Sequence, residues 1–292
     1  MSKPVLAGRV PEELAELLRP YPNFRTKQIY KWICQAAAGF DEMSNLPLSL
    51  RKELEEKFTL LSGTPSSELL DTDGTVKLGI SYEDGVVIEG VILKDGKERK
   101  TACLSTQAGC PLGCVFCKTG KLKFARNLTA AEICGQFLHL KKREQDISHI
   151  VIMGMGEPLL NLEELRKAIV FFTDTNGLNI SKRRITVSTS GIEKGILELA
   201  NNGPDLRLAL SLTSAREKLR EALMPVTREN PLPCIKNALL HYQEKRKRRI
   251  TLEMVLLGGI NTGAQDVIAA ADFAKGLDLV VNLIPWNPVD DI

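Results

Sequence analysis

The sequence predicts an α/β fold of parallel βα units, preceded by a small helical module and a run of antiparallel hairpins. Three observations carry that expectation. From residue 102 onward, short apolar runs alternate with helical segments, the pattern of parallel strands joined by crossover helices. Between residues 66 and 106, three Asp-Gly pairs punctuate runs rich in Val, Ile and Leu, a strong hairpin signal. Before them, apolar residues recur at helical spacing. At roughly 150 residues per domain, 292 residues suggest one large domain with a smaller appendage.

The elements follow in order. Pro11-Glu12-Glu13 opens a first helix with Leu14, Leu17 and Leu18 on one face, and Pro20 and Pro22 end it. Residues 25–32 supply a second, with Ile29, Trp32 and Ile33 apolar and Arg25, Lys27 and Lys31 polar; a third lies around residues 50–58. Residues 1–62 therefore read as an N-terminal helical domain. Asp73-Gly74, Asp84-Gly85 and Asp95-Gly96 place the turns of a β-hairpin extension over residues 63–100. Strands are then expected at 102–106, 149–153, 184–187, 206–212, 250–255 and 279–284. Thr129 and Glu132, Asn161 and Glu164, and Ser214 and Glu217 each put a capping residue three before a glutamate, the signature of a helix start. Residues 101–292 hold six such units, as a barrel or a doubly wound sheet; a complete eight-fold barrel does not fit.

Composition excludes several classes. Hydrophobic residues make up 43% and charged residues 26%, as in an ordinary globular protein and unlike a disordered chain. No run approaches the roughly 18–20 apolar residues of a membrane span. The N-terminus, MSKPVLAGRVPEELAE, has no apolar core of signal-peptide length, so a cytoplasmic location and no membrane partner are expected. A net charge of only +3 confines any nucleic-acid surface to local runs such as residues 245–249 and Lys182-Arg183-Arg184. Four of the seven cysteines crowd between 103 and 117, which points to metal or redox chemistry rather than a disulfide framework.

The main chemical signal is Cys110-Pro-Leu-Gly-Cys114-Val-Phe-Cys117, directly after the first strand of the alternating region. Thiolates are soft ligands suited to iron–sulfur clusters and zinc. Gly109, Pro111 and Gly113 give the backbone both freedom and constraint there. Three cysteines leave one iron of a four-iron cluster without a protein thiolate, and an open position is what makes a metal site reactive. The alternative is a structural zinc site with Cys103 as fourth ligand. Cys34, Cys134 and Cys234 lie in helical or loop patterns and read as structural.

This loop resembles that of the radical S-adenosylmethionine (SAM) superfamily. Cys103-Leu-Ser-Thr-Gln-Ala-Gly-Cys110, Thr119-Gly120, Phe124-Ala-Arg-Asn-Leu128, Met153-Gly-Met-Gly-Glu-Pro158, Val187-Ser-Thr-Ser-Gly191, Leu210-Ser-Leu212, Leu223-Met-Pro-Val226 and Leu283-Ile-Pro-Trp-Asn-Pro288 are together similar to the RlmN/Cfr family of RNA methyltransferases, closer to its RlmN side. Residues 25–32 share the likeness, which covers essentially the whole chain. Cys103, seven residues before Cys110, is the discriminating feature.

The resemblance implies a partial (β/α)6 radical-SAM barrel. It implies a [4Fe-4S] cluster on Cys110, Cys114 and Cys117, with SAM chelating the open iron and yielding a 5′-deoxyadenosyl radical after one-electron reduction. SAM contacts carry over to Gly156, Glu157, Ser188, Ser211, Leu212, Thr213 and Asn287; the family often has His at the position of Thr213. Glu89 corresponds to a general base that removes the adenine proton, a role helped by partial burial. Cys103 corresponds to the cysteine that resolves a protein–RNA adduct by forming a disulfide. Implied partners are 23S rRNA, tRNA and an electron donor such as flavodoxin, with the chain a monomer. The family's methyl-carrying cysteine lies well beyond the sixth strand, and no cysteine follows Cys234 here. A chain truncated there is expected to lack full turnover and the helix covering the last strand. A non-catalytic RNA-binding scaffold, a C8-specific Cfr-like enzyme and a zinc-stabilised binding module are the competing readings.

Overall fold

The computed structural model describes residues 3–96 and 99–287. Residues 97–98, within the expected hairpin extension, and 288–292, at the end of the expected barrel domain, lie outside the described residues. In chain order the elements are α1 (Pro11–Leu17), α2 (Asn23–Cys34), α3 (Leu48–Lys57), β1 (Thr64–Leu70), β2 (Val76–Ser81), β3 (Val87–Lys94), β4 (Lys100–Cys103), β5 (Gln107–Ala108), α4 (Lys118–Lys121), β6 (Arg126–Asn127), α5 (Ala130–Arg143), β7 (Ile147–Ile152), α6 (Leu162–Thr173), β8 (Ile185–Thr189), α7 (Glu193–Asn202), β9 (Arg207–Ser211), α8 (Glu217–Leu223), α9 (Leu232–Arg246), β10 (Ile250–Leu256), α10 (Ala264–Ala274) and β11 (Leu279–Pro285). They gather into two compact units of discontinuous segments: 1–106, 127–154 and 163–184 in the first, and 107–126, 155–162 and 185–292 in the second.

In the first unit α1 and α2 bury Leu14, Leu18, Ile29 and Ile33 completely. The Tyr30 hydroxyl donates to Asp174 Oδ2 at 2.6 Å, and its ring meets Phe171 edge-on at 6.0 Å. The helical module is thus anchored to the end of α6. Strands β1 to β4 run antiparallel, with the three Asp-Gly pairs at the intervening turns. β4 then pairs in parallel with β7, Cys103 standing opposite Val151, so residue 100/101 falls inside a strand that serves both arrangements. Beyond β4 the backbone leaves the ladder, and a buried side chain takes over its groups. Gln136 of α5 accepts from Ser105 N at 2.9 Å and donates to Ser105 O at 3.0 Å.

The second unit holds β8, β9, β10 and β11, each parallel to the next. Strands β8 to β10 are mostly buried along their length, as parallel strands covered by helices on both faces are. β11 differs: Val280, Val281 and Leu283 are exposed.

The helix-start signals resolve unequally. Thr129 and Glu132 form the expected capping box at α5. At the other two, the glutamate carboxylate reaches a neighbouring helix. Glu164 accepts from Ala130 N at 2.7 Å, capping α5 rather than its own helix. α8 starts at Glu217, the Ser214 hydroxyl accepts from Arg216 N at 3.1 Å, and Glu217 accepts from Leu232 N at the start of α9. In both cases a neighbouring helix offers unpaired N–H groups within reach, so the carboxylate caps across space instead of along the chain.

Candidate active site

The cysteine loop lies in the second unit, just after β5. Gly109 and Gly113 take φ of +76° and +65°, left-handed backbone that favours glycine. A Cβ at Gly109 would also meet the backbone of Lys123 and Phe124. Cys117 N donates to Cys114 O at 3.2 Å, and Val115 N donates to Leu223 O at 3.0 Å, which pins the loop to the end of α8. Cys114 and Phe116 pack on a buried cluster of Leu223, Met224 and Leu257. Cys110, Cys114 and Cys117 are partly buried, and none is in a disulfide.

Burial pushes the Cys110 thiol up and the Cys114 thiol to about 12, with the charges of neighbouring thiols adding to both. Desolvated in this loop, the Cys110 and Cys114 sulfurs hold their protons until a cation offsets the negative charge. Iron does that, since metal coordination deprotonates a thiol outright. The donor set of three soft ligands on one short loop fits a four-iron cluster with one open corner. Among the described residues, no three His, Cys, Asp or Glu side chains are grouped to hold a single metal ion.

Beside the loop, Gly156 takes φ +100°, and a Cβ there would stand 2.5 Å from Gln107 Cβ. Glu157 is buried; its carboxylate accepts from Leu159 N at 3.1 Å and Ser190 N at 2.7 Å, while its own N–H donates to Gln107 Oε1 at 2.8 Å. Burial raises its pKa and the backbone donors oppose the rise. The Thr189 and Ser190 side chains bond the same carboxylate.

Ser188 is the penultimate residue of β8 and Ser211 the last of β9, and their hydroxyls lie 3.1 Å apart. Ser188 donates to Glu253 Oε2 at 2.6 Å, and Glu253 also bonds Ser211. Glu253 is buried on β10, which raises its pKa, while the two serines lower it. With their protons drawn toward the carboxylate, the serines offer lone pairs to a ligand.

Leu212 is fully buried. Thr213 has φ +56°, an unusual conformation for a β-branched residue. It is held there by Asn261 Nδ2, which donates to Thr213 O at 2.9 Å, and by Thr213 N, which donates to Glu253 O at 3.2 Å. The Thr213 hydroxyl is buried with no partner among the described residues. Such an orphan costs about 1–3 kcal/mol. An orphan hydroxyl, a buried carboxylate and paired serines at strand ends fit a cofactor bearing ammonium, carboxylate and ribose groups.

Glu89 and Cys103 lie in the first unit. Cys103 stands opposite Val91, two residues along β3 from Glu89, so strand alternation puts Glu89, Val91 and Cys103 on one face. The Glu89 side chain is 51% exposed and paired with Lys77 Nζ at 3.0 Å, rather than partly buried. Asn287 is exposed. Of the basic runs, Lys182, Arg183 and Arg184 are exposed, whereas Arg248 and Arg249 pair with Asp205 and Asp278.

Sequence reasoning missed Glu253, Asn261 and Arg220. Glu253 and Asn261 look like a strand carboxylate and a turn residue. Arg220 looks like an ordinary polar position on a helix, yet it is the largest fully buried side chain described.

Comparison with known proteins places this geometry. Residues 104–274 match the model of the Radical SAM superfamily, and residues 19–60 match that of the ribosomal RNA large subunit methyltransferase N-terminal domain. A probable dual-specificity RNA methyltransferase RlmN from Treponema denticola is 49% identical over 290 residues, covering 99% of this chain and 84% of that protein. The corresponding protein of Heliobacterium modesticaldum is 44% identical, covering 98% of this chain and 78% of its own. A crystal structure of a radical SAM methyltransferase from Sphaerobacter thermophilus superimposes with a TM-score of 0.95 at 36% identity, covering 99% of this chain and 87% of that one. The chain has the α/β fold of the superfamily, whose cofactors are a [4Fe-4S] cluster and SAM, and it belongs to the RlmN family of SAM-dependent methyltransferases.

Proposed function

We propose that this protein methylates C2 of adenosine in 23S rRNA and in tRNA, by radical chemistry routed through a methylated cysteine. The observation that carries the reading is the second unit's grouping of the cysteine loop with Gly156-Glu157, Ser188, Ser211 and Thr213. Supporting it, the relatives are named as dual-specificity RNA methyltransferases, and residues 19–60 match an rRNA-methyltransferase N-terminal model. Adenine C2 is not nucleophilic, which excludes a simple displacement at the SAM methyl.

When bound, the reduced cluster supplies the electron that cleaves SAM and so makes hydrogen abstraction possible. Cys110, Cys114 and Cys117 hold it. Glu157 accepts from the cofactor's ammonium, and Ser188, Ser211 and Thr213 contact its polar groups. Asn287 and Leu212 complete the cofactor's surroundings by family position. Glu89 accepts the adenine C2 proton once the RNA displaces Lys77 from it. Cys103, on the same strand face as Glu89, attacks the sulfur of the methyl-carrying cysteine; the carbon–sulfur bond to the RNA breaks as the disulfide forms, and its electron pair leaves with the RNA. Lys182, Arg183 and Arg184 contact phosphates. The adenosine leaves its stack to reach the cluster. An external flavodoxin-class protein supplies electrons, and the protein acts as a monomer in the cytoplasm. Among the described residues no helix is long and apolar enough to cross a membrane.

The test is anaerobic reconstitution followed by metal analysis and assay for 5′-deoxyadenosine. Brown protein with about four irons and SAM cleavage is the expected result. Colourless protein holding one zinc overturns the reading.

A further inference from the structure

Arg220 is fully buried, and its hydrogen-bond partners are neutral oxygens. Nε donates to Leu212 O at 3.1 Å and Nη1 to Thr227 Oγ1 at 2.7 Å; Nη2 donates to Ser190 O at 2.5 Å and to Ser211 O at 3.3 Å. Among the described residues no carboxylate forms an ion pair with it. Its nearest acidic neighbours are engaged elsewhere: Glu217 with Leu232 N, and Glu157 with Leu159 N and Ser190 N. A guanidinium withdrawn from water without an ion-paired carboxylate is strongly unfavourable, and the more distant charges of Glu217 and Glu157 offset that only in part.

Its position points to the missing charge. Arg220 lies one helical turn before Leu223, whose carbonyl accepts from Val115 N in the middle of the cysteine loop. Cys114 packs against Leu223 and Met224. Arg220 and the Cys114 sulfur are near enough to interact electrostatically. A four-iron core bound by three thiolates is a net anion, and one-electron reduction makes it more negative.

We propose that Arg220 is the buried counter-charge of the iron–sulfur cluster and eases its reduction. A fixed cation in low dielectric favours the more negative of two redox states, so Arg220 raises the cluster's potential. No bond forms or breaks at Arg220. The electron comes from an external reductant, and the side chain's four hydrogen bonds keep it in place in both states. The same bonds join the ends of β8 and β9 to the cysteine loop's support, so the serine-bearing strand ends and the cluster share one anchor.

The proposal rests on the cluster's being held by Cys110, Cys114 and Cys117, which the iron content of the parent protein tests separately. The experiment is a dithionite titration, followed by electron paramagnetic resonance, of the reconstituted parent, Arg220→Gln and Arg220→Lys. Gln keeps a donor and loses the charge, whereas Lys keeps the charge. At the potential that half-reduces the parent, the reduced-to-oxidised ratio in R220Q is expected to fall at least ten-fold, a shift of about 59 mV to more negative potential. R220K is expected to stay within two-fold of the parent. Loss of the cluster from R220Q with retention in R220K also supports the charge. Any pattern in which R220Q and R220K behave alike, or in which only R220K departs from the parent, overturns it.

Discussion

Two lone carboxylates in apolar strands show what a residue's surroundings decide. Glu89 and Glu253 look alike in the sequence, each a single acid among Val, Ile and Leu. Glu89 is exposed on an antiparallel strand and pairs with Lys77. Glu253 lies in a parallel strand that offers no solvated face, so it is buried and finds the two serine hydroxyls instead. No local signal separates the two, because the partners of Glu253 lie 65 and 42 residues upstream. Glu253→Gln turns an acceptor of two hydroxyl protons into a group that also donates. The KM for SAM in 5′-deoxyadenosine formation is expected to rise about ten-fold, roughly 1.4 kcal/mol, with the melting temperature little changed. Raised by burial, the Glu253 pKa also imposes a pH dependence. The native state binds its proton at a pH where the unfolded chain has released it, so stability falls as pH rises from the ordinary glutamate range through the raised value. That part of the slope is expected to vanish in E253Q, as melting curves across pH would show. Thr213 gives effects of opposite sign. Thr213→Ala removes the orphan hydroxyl, so the cofactor-free protein is expected to gain about 1 kcal/mol, or about 2 °C in melting temperature, while SAM binds about five-fold more weakly by equilibrium dialysis.

Among the elements, those built from local rules were legible. The three Asp-Gly turns and the Thr129 capping box depend on neighbours within a few residues, and the six strands show as short apolar runs. Strand boundaries shifted by a few residues because ladders end where a partner ends, which the sequence does not display. The glutamates at 164 and 217 were read as local caps and cap other helices, a choice made by packing. Glu217→Ala is expected to lower stability by about 1 kcal/mol, seen as about 2–4 °C in thermal melting, by leaving the start of α9 unpaired. His139 supplies a pH test of the first unit. Its Nε2 lies 3.0 Å from Ser62 O and 3.1 Å from Gly63 O, so the ring carries its proton there and joins α5 to the segment entering β1. Burial lowers its pKa below 6.5. The unfolded chain therefore takes up the proton first, and stability drops as pH falls from about 6.5 toward the lowered value. His139→Gln is expected to lose the difference in melting temperature between pH 7.5 and 5.5 that this residue causes.

At the scale of the whole molecule, what the cysteine spacing announced and what the packing added are different things. The sequence motif pointed to the proposed cluster ligands because three sulfurs must be close along the chain to share one loop. Arg220, Asn261 and Glu253 support that loop and the strand ends through contacts that only the folded chain brings within reach. Net charge was silent on RNA, and the exposed run at 182–184 is the surface left to test. Replacing Lys182, Arg183 and Arg184 by alanine is expected to weaken RNA binding and to reduce the slope of log K against log salt by about 2–3. An unchanged slope would place the phosphate contacts elsewhere. The most direct measurement is 5′-deoxyadenosine formation by anaerobically reconstituted Cys114→Ala beside the parent, with iron counted in both. The parent is expected to hold about four irons and to cleave SAM, and C114A to fall below one-hundredth of the parental product. Equal deoxyadenosine from the two proteins would contradict the assignment of the cluster to this loop.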